Sequence, residues 1–178
     1  EGSEKDGVLS SVAGTTAAQE ARVDAEIPQT AKVDRSTAKA EVQYDGSPEF
    51  ERIPGTNMEM AVNSGTSVIR SNGIYYAVDN GIWFESAGQD GPWRVSTTRP
   101  GEVDNIPPSS PVYNVKYVYI YETTPQCVYV GYTPGYMGSY IYGPTVVYGT
   151  GWYYRPWYRH YYYPRPCTWG FGFSYNPW

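Results

Sequence analysis

Two Asn-Gly pairs, at residues 72–73 and 80–81, constrain the fold of this chain more than any other feature of its sequence. Each pair lies between short runs of β-branched and aromatic residues. In that setting Asn-Gly specifies a type I′ hairpin, because both central residues need a positive φ. The spacing predicts a compact antiparallel meander of about four or five strands over 58–96. Three large aromatic residues must supply much of its buried surface: Trp83, Phe84 and Trp93.

The segment before the meander predicts one short helix and one extended stretch. Thr16 to Gln19 fits a capping box, which starts a helix over 16–26 that is stopped by Pro28. Residues 31–44 are predicted to be extended, and small or apolar residues alternate with polar ones over 38–44, which is the period of a half-buried strand. The helix has a poor apolar stripe, so it needs a partner surface to persist.

The segment after the meander predicts a stiff joint and a β-rich tail. Residues 106–111 are rich in proline and favour a polyproline-type connection. The alternation over Val112–Tyr121 predicts one long strand, and Cys127–Tyr132 predicts its return strand after a turn at Thr123–Gln126. From Thr133 onward Gly, Pro, Tyr and Trp dominate, so the sequence excludes a long helix there.

These elements predict a mainly β chain: a small antiparallel meander module with a short N-terminal helix and extended arm, and a Tyr/Gly/Pro-rich extended β tail. The composition divides it into an arm with the helix (1–37), the meander domain (38–105), the joint (106–111) and the tail (112–178). The chain begins with Glu1 rather than Met, which favours a processed or trimmed piece of a longer protein.

Charge and aromatic residues are distributed unevenly along the chain. Residues 1–112 hold 17 of the 18 acidic and 9 of the 13 basic residues, whereas residues 113–178 hold 17 of the 20 tyrosines and four of the six tryptophans. Opposite charge at the two ends allows head-to-tail attraction between copies, although the charges could equally solvate their own faces. The acidic balance disfavours a nucleic-acid partner, and no apolar run is long enough to predict a transmembrane helix.

The two cysteines, Cys127 and Cys167, predict one disulfide, with two buried thiols as the alternative. Closing a loop of about 40 residues would stabilise the fold by about 4 kcal/mol. A metal site is not expected, because one histidine and two distant cysteines do not supply the spacing of zinc ligands.

Catalytic constellations are weak in this sequence, and no enzyme activity or cofactor is expected. His160 is the sole histidine and stands among large aromatic rings, which favours stacking or hydrogen bonding over nucleophilic catalysis. Acid pairs such as Glu49 with Glu51 or Asp104 with Glu122 could serve glycoside hydrolysis, but nothing places either pair at a cleft. Gly149-Thr150-Gly151 lacks the lysine of a phosphate loop.

Tyrosine and tryptophan in the tail exceed what a small core can easily hide. Their flat apolar faces and polar tips suit interfaces that stay partly hydrated, with sugar rings or another copy of the chain as partners, while an internal tyrosine-rich core could absorb about half of them. The candidate interface or glycan-stacking aromatics are Trp83, Phe84, Trp93, Trp152, Trp157, Tyr158, Tyr161 and Trp169. The candidate interface charges are Arg155, Arg159 and Arg165.

Three blocks of the sequence carry a resemblance to a known group. They are Asp6–Ser11 running into 27–31, Tyr75–Trp93 with its Gly-Ile-Trp-Phe-Glu-Ser, and Ile106–Trp157 with its Tyr-Val-Gly-Tyr-Thr-Pro-Gly-Tyr. Over nearly its whole length the chain resembles a group of large secreted bacterial proteins often labelled as carbohydrate-binding of family V/XII. The resemblance implies a segment of a longer polypeptide. Cys127 and Cys167 depart from the group, which has apolar residues such as Val there.

Two functions from different classes remain in view. The first is a structural assembly protein, a self-associating subunit of an extracellular or cell-surface bacterial fibre, sheath or matrix. The alternative is a non-catalytic glycan-binding module of a secreted protein, with polysaccharide as its partner. The state of the purified chain distinguishes them, since a polymer favours the first and a monomer retained by a polysaccharide favours the second.

Overall fold

The computed structural model describes residues 8–10 and 12–149, together with the backbone of two short strands, Trp157–Tyr158 and Tyr161–Tyr162. A helix, α1 (Thr16–Glu26), precedes a long series of antiparallel strands. The chain is therefore mainly β with a short N-terminal helix, which confirms the predicted fold class. None of the helices in the described part of the chain is long and apolar enough to cross a bilayer.

The strands form two principal sheets and two small hairpins. In chain order they are β1 (Gln29–Asp34), β2 (Phe50–Arg52), β3 (Glu59–Ala61), β4 (Ser67–Ser71), β5 (Ile74–Asp79), β6 (Ile82–Ser86), β7 (Arg94–Val95), β8 (Val118–Thr123), β9 (Cys127–Tyr132), β10 (Ser139–Tyr142), β11 (Thr145–Tyr148), β12 (Trp157–Tyr158) and β13 (Tyr161–Tyr162). The larger sheet is a six-stranded meander in the order β2-β3-β4-β5-β6-β7, and the smaller has three strands in the order β1-β9-β8. Two-stranded hairpins, β10-β11 and β12-β13, complete the topology.

The two Asn-Gly turns join β4 to β5 and β5 to β6, as the sequence predicts. Asn72 and Gly73 have φ values of 50° and 79°, and Asn80 and Gly81 have values of 49° and 74°. Both central residues of each turn are thus in the left-handed region that type I′ requires. The register across the turns is regular, with Ser71 opposite Ile74 and Asp79 opposite Ile82.

Both faces of the meander are buried, so the molecule has a core on each side of it. Trp83 belongs to a core that continues into residues 103–118 and reaches Tyr140. Phe84, its neighbour on the opposite face, belongs to a second core that includes Val33 of β1 and Val128 and Val130 of β9. The three-stranded sheet therefore covers one face of the meander, and the segment after β7 covers the other.

Val112–Tyr121 does not form the single long strand that the alternation predicts. Tyr113–Tyr117 is a 3-10 helix, and β8 begins only at Val118. The 3-10 helix has three residues per turn, and Val112, Val115 and Val118 are spaced by three and fully buried. Burial of these valines on one side outweighs the period-two pattern of the tyrosines.

Residues 38–44 do not form a strand, which corrects the prediction made from their alternation. Their burial does alternate: Ala38, Ala40, Val42 and Tyr44 are half-buried and the residues between them are exposed. Side chains satisfy part of this backbone, since the Thr66 hydroxyl donates to the carbonyl of Glu41 at 2.8 Å. An isolated bridge between Tyr44 and Ser64 is the β-pairing recorded there. The strand of this region is β1, which ends at Asp34, four residues before that stretch begins.

The Pro-rich segment 106–111 does not separate two cores. Ile106 and Ser110 are 2% exposed, and Val112 is fully buried in the same core as Trp83. The predicted boundary between a meander domain and a tail thus lies inside a shared core. Helix α1 has the predicted bounds, but its N-cap is Thr15, whose hydroxyl accepts a hydrogen bond from the amide of Ala18 at 3.0 Å.

Candidate functional site: a tyrosine surface on the small sheet

The solvent-facing side of the three-stranded sheet carries a cluster of tyrosines. Val128 and Val130 point into the core, so Tyr129 and Gly131 point outward. Tyr119 of β8 lies opposite Gly131, and the ring of Tyr121 is 53% exposed. A register shift between Ile120 and Glu122 leaves Tyr121 unpaired, as in a β-bulge. The rings of Tyr119 and Tyr121 lie 6.1 Å apart with their planes tilted by 31°, and we call this pair of rings the platform.

Gly131 allows the ring of Tyr121 to lie against the sheet. A Cβ atom at this position would come 2.9 Å from Cε2 of Tyr121 and 2.7 Å from the backbone oxygen of Gln29. Any side chain here would push the ring away and also press on the backbone of β1. The glycine therefore sets the height of the platform above the sheet.

A cleft of about 320 Å³ adjoins this platform. Its lining residues come from α1, from the segment around β8 and from the β10 hairpin: Ala25, Glu26, Tyr117, Tyr119, Thr133, Gly135, Tyr140 and Ile141. A Cβ on Gly135 would overlap the ring of Tyr117, so this glycine also makes room for a tyrosine. Because Tyr119 belongs to both the cleft and the platform, the two form one continuous feature. We call Tyr119, Tyr121 and Tyr129, together with the packed rings of Tyr117 and Tyr140 at the base of the cleft, the tyrosine surface.

The rings at the base of the cleft hold one another in place. Tyr117 stacks on Tyr140 at 6.0 Å and 28°, and Tyr113 meets both rings edge-on, at 5.7 Å and 5.3 Å. The hydroxyls of Tyr113 and Tyr117 lie 3.1 Å apart and share a hydrogen bond. Aromatic pairs in these geometries stabilise a structure by about 1 kcal/mol beyond their buried area. The cleft is therefore preorganised by a packed aromatic base.

Cationic side chains border the tyrosine surface. The guanidinium of Arg99 lies 5.1 Å from the ring centre of Tyr119 and is fixed by both carboxylate oxygens of Asp104 and by the carbonyl of Lys116. Toward the β1 edge of the same sheet, the amine of Lys32 lies 5.8 Å from the ring centre of Tyr129. Burial lowers the pKa of Lys116, and the charge of Arg99 lowers it further. The charge of Asp104 acts in the opposite direction and raises it. These contacts place a cationic group over the ring of Tyr119 and another over the ring of Tyr129, and the charge of Arg99 is paired with Asp104.

Burial shifts the ionisation of the tyrosines in the cleft. It raises the pKa of Tyr117 far above the usual value, with a further contribution from the hydrogen bond with Tyr113. Burial also raises the pKa of Tyr140, with a smaller contribution from Tyr113. Both phenols therefore stay neutral over the whole physiological range and remain hydrogen-bond donors there.

We expect the free energy of unfolding to fall above about pH 10, and to fall less in Tyr117→Phe. The neutral phenol is favoured in the folded state, so its contribution is complete below the ordinary tyrosine pKa. It is lost as the pH rises toward the higher value of the folded chain. Urea midpoints at about pH 8 and about pH 11 measure this. If the parent and Tyr117→Phe lose the same free energy of unfolding between the two pH values, Tyr117 ionises as an ordinary tyrosine. The comparison of the two chains at about pH 8 measures the effect of removing the hydroxyl itself.

The meander aromatics predicted for a surface role lie elsewhere. Trp83 is fully buried and Phe84 is 1% exposed, so neither can stack on a ligand or a partner of the folded chain. Trp93 is half-buried and packs against the core that contains Phe84. Alternation places neighbours on opposite faces, and both faces are covered here, so two adjacent aromatic residues are buried together.

The remaining predicted site residues fall mostly beyond the described residues. Six of them have no structural description: Trp152, Arg155, Arg159, Arg165, Cys167 and Trp169. The backbone of Trp157, Tyr158 and Tyr161 belongs to the β12-β13 pair, and their side chains are not described. Cys127 begins β9 and is half-buried. Its disulfide with Cys167 stays a prediction.

The residues of the tyrosine surface were not selected from the sequence. A signal for part of them exists: Tyr119 and Tyr121 alternate on β8, and Gly131 lies opposite Tyr119 on the facing strand. A glycine opposite an exposed aromatic residue indicates close approach of a ring to the backbone. The sequence did not reveal Glu26 or Tyr140, because their place in the cleft depends on how α1 and β10 pack.

A second cleft, of about 420 Å³, lies beside β1 and β7 and is more polar. Its lining residues are Asp34, Arg35, Ser36, Arg94, Val95, Pro125 and Gln126. Arg35 donates to the carbonyls of Thr124 and Pro125, and Arg94 pairs with Glu85 at 2.7 Å. Both guanidinium groups thus already have protein partners. Its lining residues include no aromatic ring, which makes it less suited than the tyrosine surface to stacking.

Two of the acids considered for catalysis, Asp104 and Glu122, lie in different settings. Asp104 is engaged with Arg99, and Glu122 is exposed on β8. Within residues 8–10 and 12–149, no three or more His, Cys, Asp and Glu side chains come together in a way that could hold a metal ion. His160 lies outside the described residues.

Comparison of the chain with family models, with curated proteins and with solved structures finds no match. A functional proposal must therefore be built from the geometry of the tyrosine surface itself.

Proposed function

We propose that the chain is a non-catalytic glycan-binding module that recognises polysaccharide through its tyrosine surface. The observation that carries the proposal is the continuity of an aromatic cleft with an exposed aromatic platform, joined at Tyr119. Sugar rings present flat C–H faces that pack on aromatic rings, and their hydroxyls need hydrogen-bond partners at the edges. Tyrosine supplies both a face and a hydroxyl.

The polar groups around the cleft suit sugar hydroxyls. Glu26 contributes a carboxylate, which accepts hydrogen bonds from two neighbouring hydroxyls at once, and Thr133 contributes a hydroxyl that can donate or accept. The platform beyond Tyr119 extends the contact along β8 to the exposed ring of Tyr121. A cleft that continues into a pair of neighbouring rings fits a chain of sugar units better than a single small molecule.

Affinity electrophoresis of the full chain in gels that contain neutral, amino-sugar or uronate polysaccharides tests this proposal. We expect Tyr119→Ala to weaken retention by at least about tenfold, because its ring serves both the cleft and the platform. Tyr142→Ala is the matched control, since Tyr142 is 73% exposed and lines neither feature. If the parent is retained by none of these polysaccharides, or if both variants lose binding equally, the glycan proposal fails.

A structural assembly role is the second candidate, and the open edge of β1 favours it. In the described part of the chain, the β1-β9-β8 sheet ends at β1, and strand edges are sites at which another chain can add. The acidic residues before 113 and the basic residues after it add charge complementarity between copies. Sedimentation of the full chain at increasing concentration tests the candidate, and a folded monomer throughout would contradict it.

For both candidates we propose an extracellular or cell-surface location in bacteria. The support is the tyrosine-rich composition with few charged residues and the resemblance to large secreted bacterial proteins.

A further inference from the structure

The strand β1 has one edge that no other strand of the described chain covers. β9 pairs with its opposite edge over all six residues. The amide of Arg35 donates to the carbonyl of Gln126 at 2.9 Å in the same register, so odd-numbered residues of β1 direct their backbone groups toward β9. The even-numbered residues Thr30 and Lys32 therefore direct both N–H and C=O away from the sheet.

This open edge is short and has defined ends. Residues 29–32 are exposed. At one end the carbonyl of Asp34 already accepts a hydrogen bond from the amide of Ala38 at 3.2 Å, and at the other Pro28 has no N–H to donate. The full complement of outward donors and acceptors is thus confined to Thr30 and Lys32. At the other edge of this sheet, the carbonyl of Val118 in β8 accepts a hydrogen bond from the indole of Trp83.

We propose that a second copy of this chain adds to the open edge, with the two β1 strands antiparallel about a twofold axis at Ala31. Thr30 of each copy then lies opposite Lys32 of the other, and each such pair exchanges two backbone hydrogen bonds. All outward groups of Thr30 and Lys32 are satisfied in this arrangement. A twofold contact closes on itself, so it makes a dimer and leaves other surfaces free.

Charge and hydrogen-bonding select this register over its neighbours. A shift that centres the axis on Lys32 would place two lysine amines directly opposite each other, which is repulsive. A further shift would place Lys32 opposite Asp34, whose carbonyl is already occupied by Ala38. A shift the other way would place Lys32 opposite Pro28, which lacks a donor. The register centred on Ala31 avoids all three penalties.

The pairing would join the two small sheets into one sheet of six strands. The outward faces of both copies would then lie side by side, with Lys32 and Tyr129 of each next to the junction. One polysaccharide chain could contact two tyrosine surfaces, which raises avidity without any new contact within a copy. This inference rests on the assembly candidate and names its interface, and it extends the glycan proposal without depending on it.

Substitution of Lys32 tests the interface directly. Lys32→Pro removes an outward N–H and none of the bonds between β1 and β9, whereas Lys32→Ala keeps the N–H and removes the same side chain. In sedimentation equilibrium of the full chain, we expect Lys32→Pro to raise the dimer dissociation constant by at least about tenfold over Lys32→Ala. Melting temperature and retention by polysaccharide gels report separately on folding and on the glycan site.

A cysteine scan gives a second measurement that does not require the proline variant to fold. Ala31→Cys places two thiols opposite each other at the twofold axis, at a non-hydrogen-bonded pair where side chains are closest. Under mild oxidation we expect peptide mapping to find a 31-to-31 link, with at least about tenfold less linkage in the Thr30→Cys control. The inference is overturned if the parent stays monomeric. It is also overturned if Lys32→Pro and Lys32→Ala dimerise equally and no 31-to-31 link is found. If the parent associates in that last case, the assembly candidate stands and uses another surface.

Discussion

Replacing Trp83 with alanine should lower the free energy of unfolding by about 3 to 5 kcal/mol. The indole is fully buried in the core that spans the meander and residues 103–118, and it meets Tyr76 edge-on at 6.3 Å. Its Nε1 also donates to the carbonyl of Val118 at 3.0 Å, which ties the meander to the first residue of β8. Alanine would leave a cavity and an unsatisfied carbonyl together.

Trp83→Phe separates the two contributions. Phenylalanine fills most of the space but lacks the donor, so we expect a loss of about 1 to 3 kcal/mol from the carbonyl and the incomplete filling. Urea unfolding followed by far-ultraviolet circular dichroism measures both variants without relying on the fluorescence of the replaced residue. A midpoint for Trp83→Ala equal to that of the parent would mean that the indole does not join the two parts of the core.

Local signals predicted the meander because its turns are encoded in adjacent residues. The Asn-Gly pairs fix the conformation of each turn, and the alternating runs beside them fix which residues share a face. The β8-β9 hairpin was predicted in the same way, although its first strand begins at Val118 rather than at Val112. Elements that depend on neighbours in sequence are therefore well predicted for this chain.

Non-local pairing was beyond reach of the sequence. β1 pairs with β9 across about a hundred residues, and nothing in the polar sequence of Gln29–Asp34 identifies that partner. The same pairing contributes to the burial of both Trp83 and Phe84. In a single-layered meander one of these adjacent residues would face solvent, and both are buried because the small sheet covers one face and residues 103–118 cover the other.

The sequence predicted exposed tyrosine rings in the tail but not which rings they are. Tyrosine abundance after residue 112 correctly indicated exposed rings, since Tyr121 and Tyr142 are more than half exposed. The prediction that about half of the rings form an internal core also has a counterpart in the packed Tyr113, Tyr117 and Tyr140. Whether a tyrosine ring is exposed or packed in the core depends on the 3-10 helix and on two glycines, Gly131 and Gly135, which allow rings to lie close to the backbone.

The two Asn-Gly turns provide a matched pair for the second large effect. Gly73 and Gly81 occupy the same turn position with φ values of 79° and 74°, so a side chain meets the same backbone strain at either site. Their surroundings differ. No heavy atom lies within 4 Å of a Cβ built on Gly73, whereas a Cβ on Gly81 would lie 2.6 Å from the ring of Tyr132.

We expect Gly73→Ala to cost about 1 to 2 kcal/mol from strain alone, and Gly81→Ala to cost more than about 2 kcal/mol. The difference arises because the Tyr132 ring must move, and its hydroxyl donates to Oε1 of Gln29 at 2.8 Å, so the displacement reaches β1. The valine substitutions should order in the same way with larger losses, since a β-branched residue at positive φ is more strained.

Tyr132→Leu completes the comparison, because it removes the ring edge from above Gly81 while keeping an apolar side chain. In that background the costs of Gly73→Ala and Gly81→Ala should converge, since only the shared backbone strain remains. Urea midpoints of the parent and of Tyr132→Leu, each with and without Gly73→Ala or Gly81→Ala, measure the coupling between each glycine and Tyr132. If the two glycine substitutions cost the same in the parent, the ring of Tyr132 does not lie against the second turn. That result would contradict this contact between the small sheet and the meander.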